Sequence, residues 1–154
     1  MPRFFSSTTG LRALALLAIA FGALTIKEGG DVLFGQDAAR AAAGFMSKQR
    51  GEELGATIGY RIRFEARVSA ATRIEVVTEG ILTRLIQDDP ELSEIGAILF
   101  DEFHERHLHG DLGLALALDV QAQLRPDLRL VLMSATLDGE RLAQFLDAPR
   151  LTAE

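Results

Sequence analysis

Two apolar runs that end in polar residues are the strongest structural signals in this chain. Four apolar residues, 97–100, stand between Gly96 and Asp101, and a second apolar run extends from Leu128 to Met133. The first run predicts a strand buried on both faces, which is typical of a parallel sheet covered by helices. The sequence therefore predicts an α/β fold with a mostly parallel sheet.

Other spacing patterns predict the remaining elements. Apolar residues alternate with polar ones over 58–64, which indicates a strand with one buried face, and a short strand is predicted at 73–77. The strands at 73–77, 97–100 and 129–133 are expected to be neighbours in one sheet. Alanine-rich or helically spaced segments predict helices at 36–49, 78–88, 112–123 and 138–145.

Two adjacent carboxylates, Asp101 and Glu102, follow the first apolar run directly. Ligands of parallel sheets bind beyond the carboxyl ends of the strands. There one carboxylate can hold Mg²⁺ and a second can orient a water for attack on a phosphate. The alternative is a pair of acids that solvates a strand end. The hydroxyls of Ser134 and Thr136 follow the second run and are expected beside the acids.

Four short segments resemble motifs of one enzyme family. Asp101-Glu102-Phe103-His104 and Ser134-Ala135-Thr136 resemble motifs II and III of the DEAH-type superfamily 2 helicases. The segments 58–65 (Ile-Gly-Tyr-Arg-Ile-Arg-Phe-Glu) and 77–82 (Val-Thr-Glu-Gly-Ile-Leu) resemble two further motifs, the second of them motif Ib. The resemblance covers residues 38 to 150 and is strongest to the bacterial HrpB-like branch.

The resemblance implies a RecA-like domain of the P-loop NTPase type, the first motor domain of an ATP-dependent RNA helicase. The implied cofactors are ATP and Mg²⁺, and the implied partner is single-stranded RNA. No membrane partner is implied, and the implied location is the cytoplasm. The implied roles are Mg²⁺ binding for Asp101, water activation for Glu102, coupling of hydrolysis to domain movement for His104, Ser134 and Thr136, and nucleic-acid contact for Arg61, Thr78, Glu79 and Gly80.

The first third of the chain departs from this family. A phosphate-binding loop needs glycines and a lysine, and residues 4–7, Phe-Phe-Ser-Ser, supply neither. Thr8 and Thr9 match only the end of that loop, with Leu11 to Leu24 expected as the following helix. The chain is expected to be one domain, 1–154, with a degenerate or rearranged segment 1–37, without a second motor domain, and inactive by itself.

One aromatic residue also departs from the family. An arginine of the helix over 36–49 stacks on the nucleotide base in DEAH-type helicases, and the matching residue here is Phe45. We interpret Phe45 as a core residue instead.

Composition limits the remaining choices. The chain has 154 residues, no cysteine and a net charge of −6. Without cysteine it has neither a disulfide framework nor a thiolate zinc site. A negative net charge argues against a surface that wraps nucleic acid as a whole, so contacts must be local, near Arg61 and Arg63.

Other functional classes stay open from the sequence. One is a non-catalytic nucleic-acid-binding or interaction domain derived from a helicase. Another is a secreted or membrane-anchored protein that uses the uncharged segment 13–26. A metal cluster of His104, His107 and His109 is not expected, because their spacing does not place two ligands one helical turn apart.

Overall fold

The structure is a computed structural model that describes residues 14–19, 31–101, 108–133 and 139–150. Strands and helices alternate through these residues, as expected for an α/β chain. In chain order the elements are β1 (Leu14–Ile19), α1 (Asp31–Arg50), β2 (Ile58–Ile62), β3 (Glu65–Arg67), β4 (Ile74–Val77), α2 (Glu79–Asp88), β5 (Ile95–Asp101), α3 (Leu108–Gln123), β6 (Arg129–Leu132) and α4 (Gly139–Leu146).

The described strands form one sheet in the order β3-β2-β4-β1-β5-β6. Only β3 is antiparallel to its neighbour, so the predicted mostly parallel sheet is confirmed. The predicted adjacency of β5 and β6 is also confirmed. The expectation that β4 neighbours β5 is wrong, because β1 lies between them and its Ala18 pairs with both Val77 and Phe100.

The strand β1 also overturns the expected helix over Leu11 to Leu24. Local propensity cannot separate strand from helix for a short run of leucine and alanine. Pairing on both sides decides it here, because the backbone groups of β1 find partners in β4 and β5. Within the described ranges, no helix is long and apolar enough to cross a bilayer.

Two apolar clusters cover the two faces of the sheet, because successive strand residues point to opposite sides. Helix α1 covers one face, where Ala39 and Ala43 pack against Tyr60 and Val76. Helices α2 and α3 cover the other face. There the buried members of the cluster include Val77, Leu82, Ile86, Leu92, Ile95, Ile98, Phe100, Leu114, Val120 and Leu128. The protein is therefore a three-layer sandwich with the sheet in the middle.

Helix predictions hold with shifted ends. Helix α1 begins at Asp31, earlier than the predicted Gln36, and α2, α3 and α4 lie within a few residues of their predicted spans. Phe45 is 64% exposed, so its interpretation as a core residue is wrong. Ala39 and Ala43 occupy the buried face of α1 instead, since small side chains let the helix lie close to the sheet.

The predicted strand over 58–64 ends two residues early, at Ile62. Arg63 and Phe64 form a turn, and the chain returns as β3, so that Tyr60 pairs with Arg67. A Cβ at Gly59 would lie 2.3 Å from the carbonyl oxygen of Arg67. Glycine at this position therefore lets the two arms of the hairpin approach.

Candidate functional site at the carboxyl edge of the sheet

One row of paired residues crosses five strands just below the carboxyl edge of the sheet. Arg61 pairs with Val77, Val77 with Ala18, Ala18 with Phe100 and Phe100 with Leu132. The next residue of each strand therefore lies at the edge itself. Parallel sheets bind ligands at this edge.

Asp101 is the last residue of β5 and lies at this edge, partly exposed. Strand β6 runs beside it, and the amide of Met133 donates to the carbonyl oxygen of Phe100 at 2.7 Å. The ends of β5 and β6 thus reach the edge side by side. Glu102, which follows Asp101 in the sequence, lies outside the described residues, as do His104, Ser134, Thr136, Thr8 and Thr9.

Helix α2 begins at the same edge, directly after β4. The carbonyl oxygen of Thr78 accepts hydrogen bonds from the amides of Ile81 and Leu82 at 2.9 and 3.0 Å, while its hydroxyl makes no capping bond. Thr78 is therefore the N-cap residue of α2, although its side chain makes no capping bond. Gly80 is exposed, and nothing lies within 4 Å of the position a Cβ would take. Early helix amides next to open space can bind an anion.

Glu79 connects the start of α2 to the start of α3. A Cβ on Gly110 would lie 3.0 Å from a carboxylate oxygen of Glu79. This close approach depends on the missing side chain of glycine, which lets the first turns of the two helices come together.

Arg61 forms an ion pair that the sequence did not predict. Its Nε donates to Glu75 at 2.5 Å, and the side chain of Glu75 is only 7% exposed. A buried carboxylate needs such a partner, because an unpaired charge in the protein interior is costly. The side chain of Arg61 is 40% exposed, so Arg61 both pairs with Glu75 and contributes positive charge at the surface.

Three of the predicted site elements share the carboxyl edge. Val77 and Phe100 both pair with Ala18, so Thr78 and Asp101 are level and two strand spacings apart, or about 10 Å. Arg61 lies one strand further from Asp101, beside Val77. Asp101 and the start of α2 at Thr78 therefore lie along one continuous edge of the sheet.

Sequence reasoning missed two residues near Arg61, namely Phe64 and Arg84. Together with Arg61 and Arg63 they line a surface groove of about 640 Å³ between the hairpin turn and α2. The alternation of apolar residues continues through Phe64 and predicts a place for it on the buried face of a strand. The adjacent Arg63 and Glu65 give no local sign that the strand ends at Ile62.

Comparisons with known proteins agree with this architecture. The chain is 55% identical over 118 residues to the ATP-dependent RNA helicase HrpB of Escherichia coli K12, a match that covers 76% of the chain. It is 38% identical over 113 residues, 73% of the chain, to the HrpA homologue of Haemophilus influenzae, also an ATP-dependent RNA helicase. No protein-family model matches the chain.

Solved structures give the same result. The crystal structure of the DEAH/RHA helicase HrpB from Escherichia coli superposes with a TM-score of 0.77 at 47% identity over 92% of the chain. The chain spans only 16% of the chain in that structure, 15% of the length of HrpB and 9% of the HrpA homologue. The similarity therefore concerns one RecA-like portion of much longer proteins.

Proposed function

The chain is a homologue of part of the HrpB-type DEAH helicases, and from this premise we propose that it serves as a nucleic-acid-binding portion of the RecA-like motor of an ATP-dependent RNA helicase. The observation that carries the proposal is the shared edge. The acid end at Asp101 and the start of α2 at Thr78 are level with each other across β1.

In this proposal the start of α2 binds a phosphate of single-stranded RNA. The amides of the first helical turn and the helix dipole attract an anion, and exposed Gly80 leaves room for it. The exposed part of Arg61 adds positive charge on the adjacent strand. These contacts address the backbone and carry little sequence information.

At the other end, Asp101 would hold Mg²⁺ and Glu102 would orient water, with His104, Ser134 and Thr136 coupling hydrolysis to domain movement. A single strand-end carboxylate fits Mg²⁺, which usually takes one or two protein carboxylates and completes its shell with water and substrate phosphates. Bound Mg²⁺ supplies charge neutralisation at the phosphates of ATP. The chain's own contribution is the acid at the sheet edge.

A second candidate function is non-catalytic nucleic-acid binding, and a sequence observation favours it. The chain has two lysines, Lys27 and Lys48, and neither follows a glycine. A phosphate-binding loop requires a glycine-lysine pair whose backbone and ammonium hold the phosphates. Nucleic-acid binding at α2 does not require that loop, so this function survives without ATP hydrolysis.

The test is a titration of the full chain with labelled single-stranded RNA at several salt concentrations. We expect weak binding with a slope of about −0.7 in log K against log salt for each phosphate contact. Gly80→Glu places a carboxylate where the phosphate would bind. It should weaken binding about tenfold, the loss expected for a hydrogen bond to a charged group. An acid in the first helical turn stabilises the helix itself, so the fold should be unharmed.

The matched control is Gly44→Glu, which adds the same charge on α1, at a position that also has nothing within 4 Å. It should leave RNA affinity close to that of the unchanged chain. Equal losses of RNA affinity in the two variants would show that affinity responds only to the overall charge of the chain, which would contradict the proposed phosphate site. Tight binding that does not respond to salt would also contradict the proposal.

A further inference from the structure

Strand β6 lies at one end of the sheet, and among the residues that the structure describes no strand pairs with its outer side. The amide of Met133, directly after β6, donates to the carbonyl oxygen of Phe100 in β5 at 2.7 Å. Backbone groups of successive strand residues point to alternate sides of a strand, so Val131 also bonds to β5. Leu130 and Leu132 therefore direct their backbone donors and acceptors away from the sheet.

The side chains of β6 are mostly apolar on both faces of the sheet. Leu130 and Leu132 pack against the cluster under α2 and α3 and are partly buried. Arg129 and Val131 point to the opposite face, where Val131 is 42% exposed. The outer side of β6 thus offers apolar groups as well as unpaired backbone groups.

The opposite end of the sheet is protected against further pairing. Strand β3 has only three residues, and two of them, Glu65 and Arg67, are charged. Short edge strands and charged side chains keep natural sheets from adding strands. In contrast, β6 has one charged residue, Arg129, and neither a proline nor a bulge in its four residues. An edge of this kind is a template for pairing with another chain.

We propose that β6 pairs antiparallel with β6 of a second copy of this chain, so that the two sheets become one. The outward backbone groups fix the register. Leu130 lies opposite Leu132 of the second copy, and each such pair exchanges two backbone hydrogen bonds. Val131 then faces Val131 of the second copy on the two-fold axis, with the Cα atoms about 4.5 Å apart. A self-complementary contact of this kind closes at two copies.

Charge complementarity supports a second copy as the occupant. In this register Arg129 lies opposite Met133 of the second copy, and Met133 is level with Asp101 of β5. Arg129 pairs with Ala97, four residues before Asp101, so the side chains of Arg129 and Asp101 point to the same face. Each arginine thus lies two strand spacings, about 10 Å, from an acid of the other copy. Their attraction offsets part of the repulsion between two chains of net charge −6.

The experiment is sedimentation equilibrium of the full chain over a range of protein concentrations, without RNA or nucleotide. We expect the mass to rise from 16.7 kDa towards twice that value. Val131→Lys should raise the dissociation constant of the dimer at least about tenfold, because it places two like charges opposite each other on the axis. Since Val131 is 42% exposed, each copy should keep its fold, which denaturation midpoints verify.

The matched control is Ala66→Lys, which adds the same charge at an exposed position of β3, the strand at the other end of the sheet. It should leave the dissociation constant unchanged. A mixture of Val131→Lys and Val131→Asp should form dimers more tightly than either variant alone, because opposite charges then meet across the axis.

Amide exchange in the unchanged chain tests the pairing without any substitution. Exchange should slow at Leu130 and Leu132 as the protein concentration rises, and it should change little at Val131, whose amide already bonds to β5. A mass of 16.7 kDa at every concentration up to about 1 mM would overturn the proposal. Equal effects of Val131→Lys and Ala66→Lys on the dimer, or masses that grow beyond two copies, would overturn it as well.

Discussion

At the scale of single residues, Arg125 is an arginine with a structural role. Its guanidinium, in a side chain 17% exposed, donates to the backbone carbonyls of Glu91, Leu92 and Ile95 at 2.9, 2.8 and 3.2 Å. It also forms a two-bond pair with Asp127, and this pairing lowers the pKa of Asp127. Arg125 therefore fixes the left-handed turn at Leu92 just before β5 begins.

We expect Arg125→Lys to destabilise the protein by about 2–4 kcal/mol. Lysine keeps the charge but lacks the planar fork, so several carbonyls would lose their donor. Urea denaturation measures the change. Arg84→Lys serves as the control, since Arg84 is 76% exposed and exposed pairs contribute about 0–1 kcal/mol. Similar midpoints for the two variants would show that the Arg125 bonds contribute little.

At the scale of elements, one carboxylate joins the hairpin to helix α1. Glu65 of β3 accepts a hydrogen bond from the hydroxyl of buried Tyr60 and another from Arg40 of α1 at 2.6 Å. The bond from Tyr60, and then the bond from Arg40, lower the pKa of Glu65 below its ordinary value of 4.5. The junction therefore favours the ionised carboxylate.

The sign of the pH dependence follows from that shift. The folded state binds the Glu65 proton less readily than the unfolded state, so the contribution of Glu65 to stability is complete above pH 4.5. It is lost as the pH falls through the lowered pKa of the folded state. Denaturation of the unchanged chain and of Glu65→Gln between pH 3 and about 7 should show a stability gap that closes on acidification. A gap that widens toward low pH would contradict this assignment.

At the scale of the whole molecule, the parallel sheet places the two proposed sites along one edge. The acid at Asp101 and the start of α2 are two strand spacings apart, about 10 Å, with β1 between them. Helices α2 and α3 meet through close packing at Gly110 and Gly113 on the face below.

We expect this chain to release no phosphate from ATP above background, even with Mg²⁺ and RNA present. Phosphoryl transfer depends on holding the phosphates in line and neutralising developing charge. The sequence offers no glycine-lysine pair for that purpose, and the loss of a single such donor costs about 10² to 10³ in rate. A phosphate-release assay with Glu102→Gln as the control decides it. Turnover abolished by Glu102→Gln would show that the site works.

Several features followed from the sequence alone because they depend on neighbouring residues in the chain. The uninterrupted run before Asp101 placed a buried strand and put the acid at its end. The alternating leucines of 112–118, set among alanine and glutamine, were correctly identified as helix. Strand β6 and the start of α2 were also placed to within a residue or two.

Other features were decided only by tertiary contacts. A strand's neighbours are set by distant backbone groups, so no local pattern could place β1 between β4 and β5. Burial is equally non-local: Phe45 and Phe64 face solvent although both are apolar. The carboxylate that binds Arg61 is 14 residues away in the chain. Sequence determined where β4, β5 and β6 end to within one residue, and the pairing of distant segments determined which of those ends form one edge.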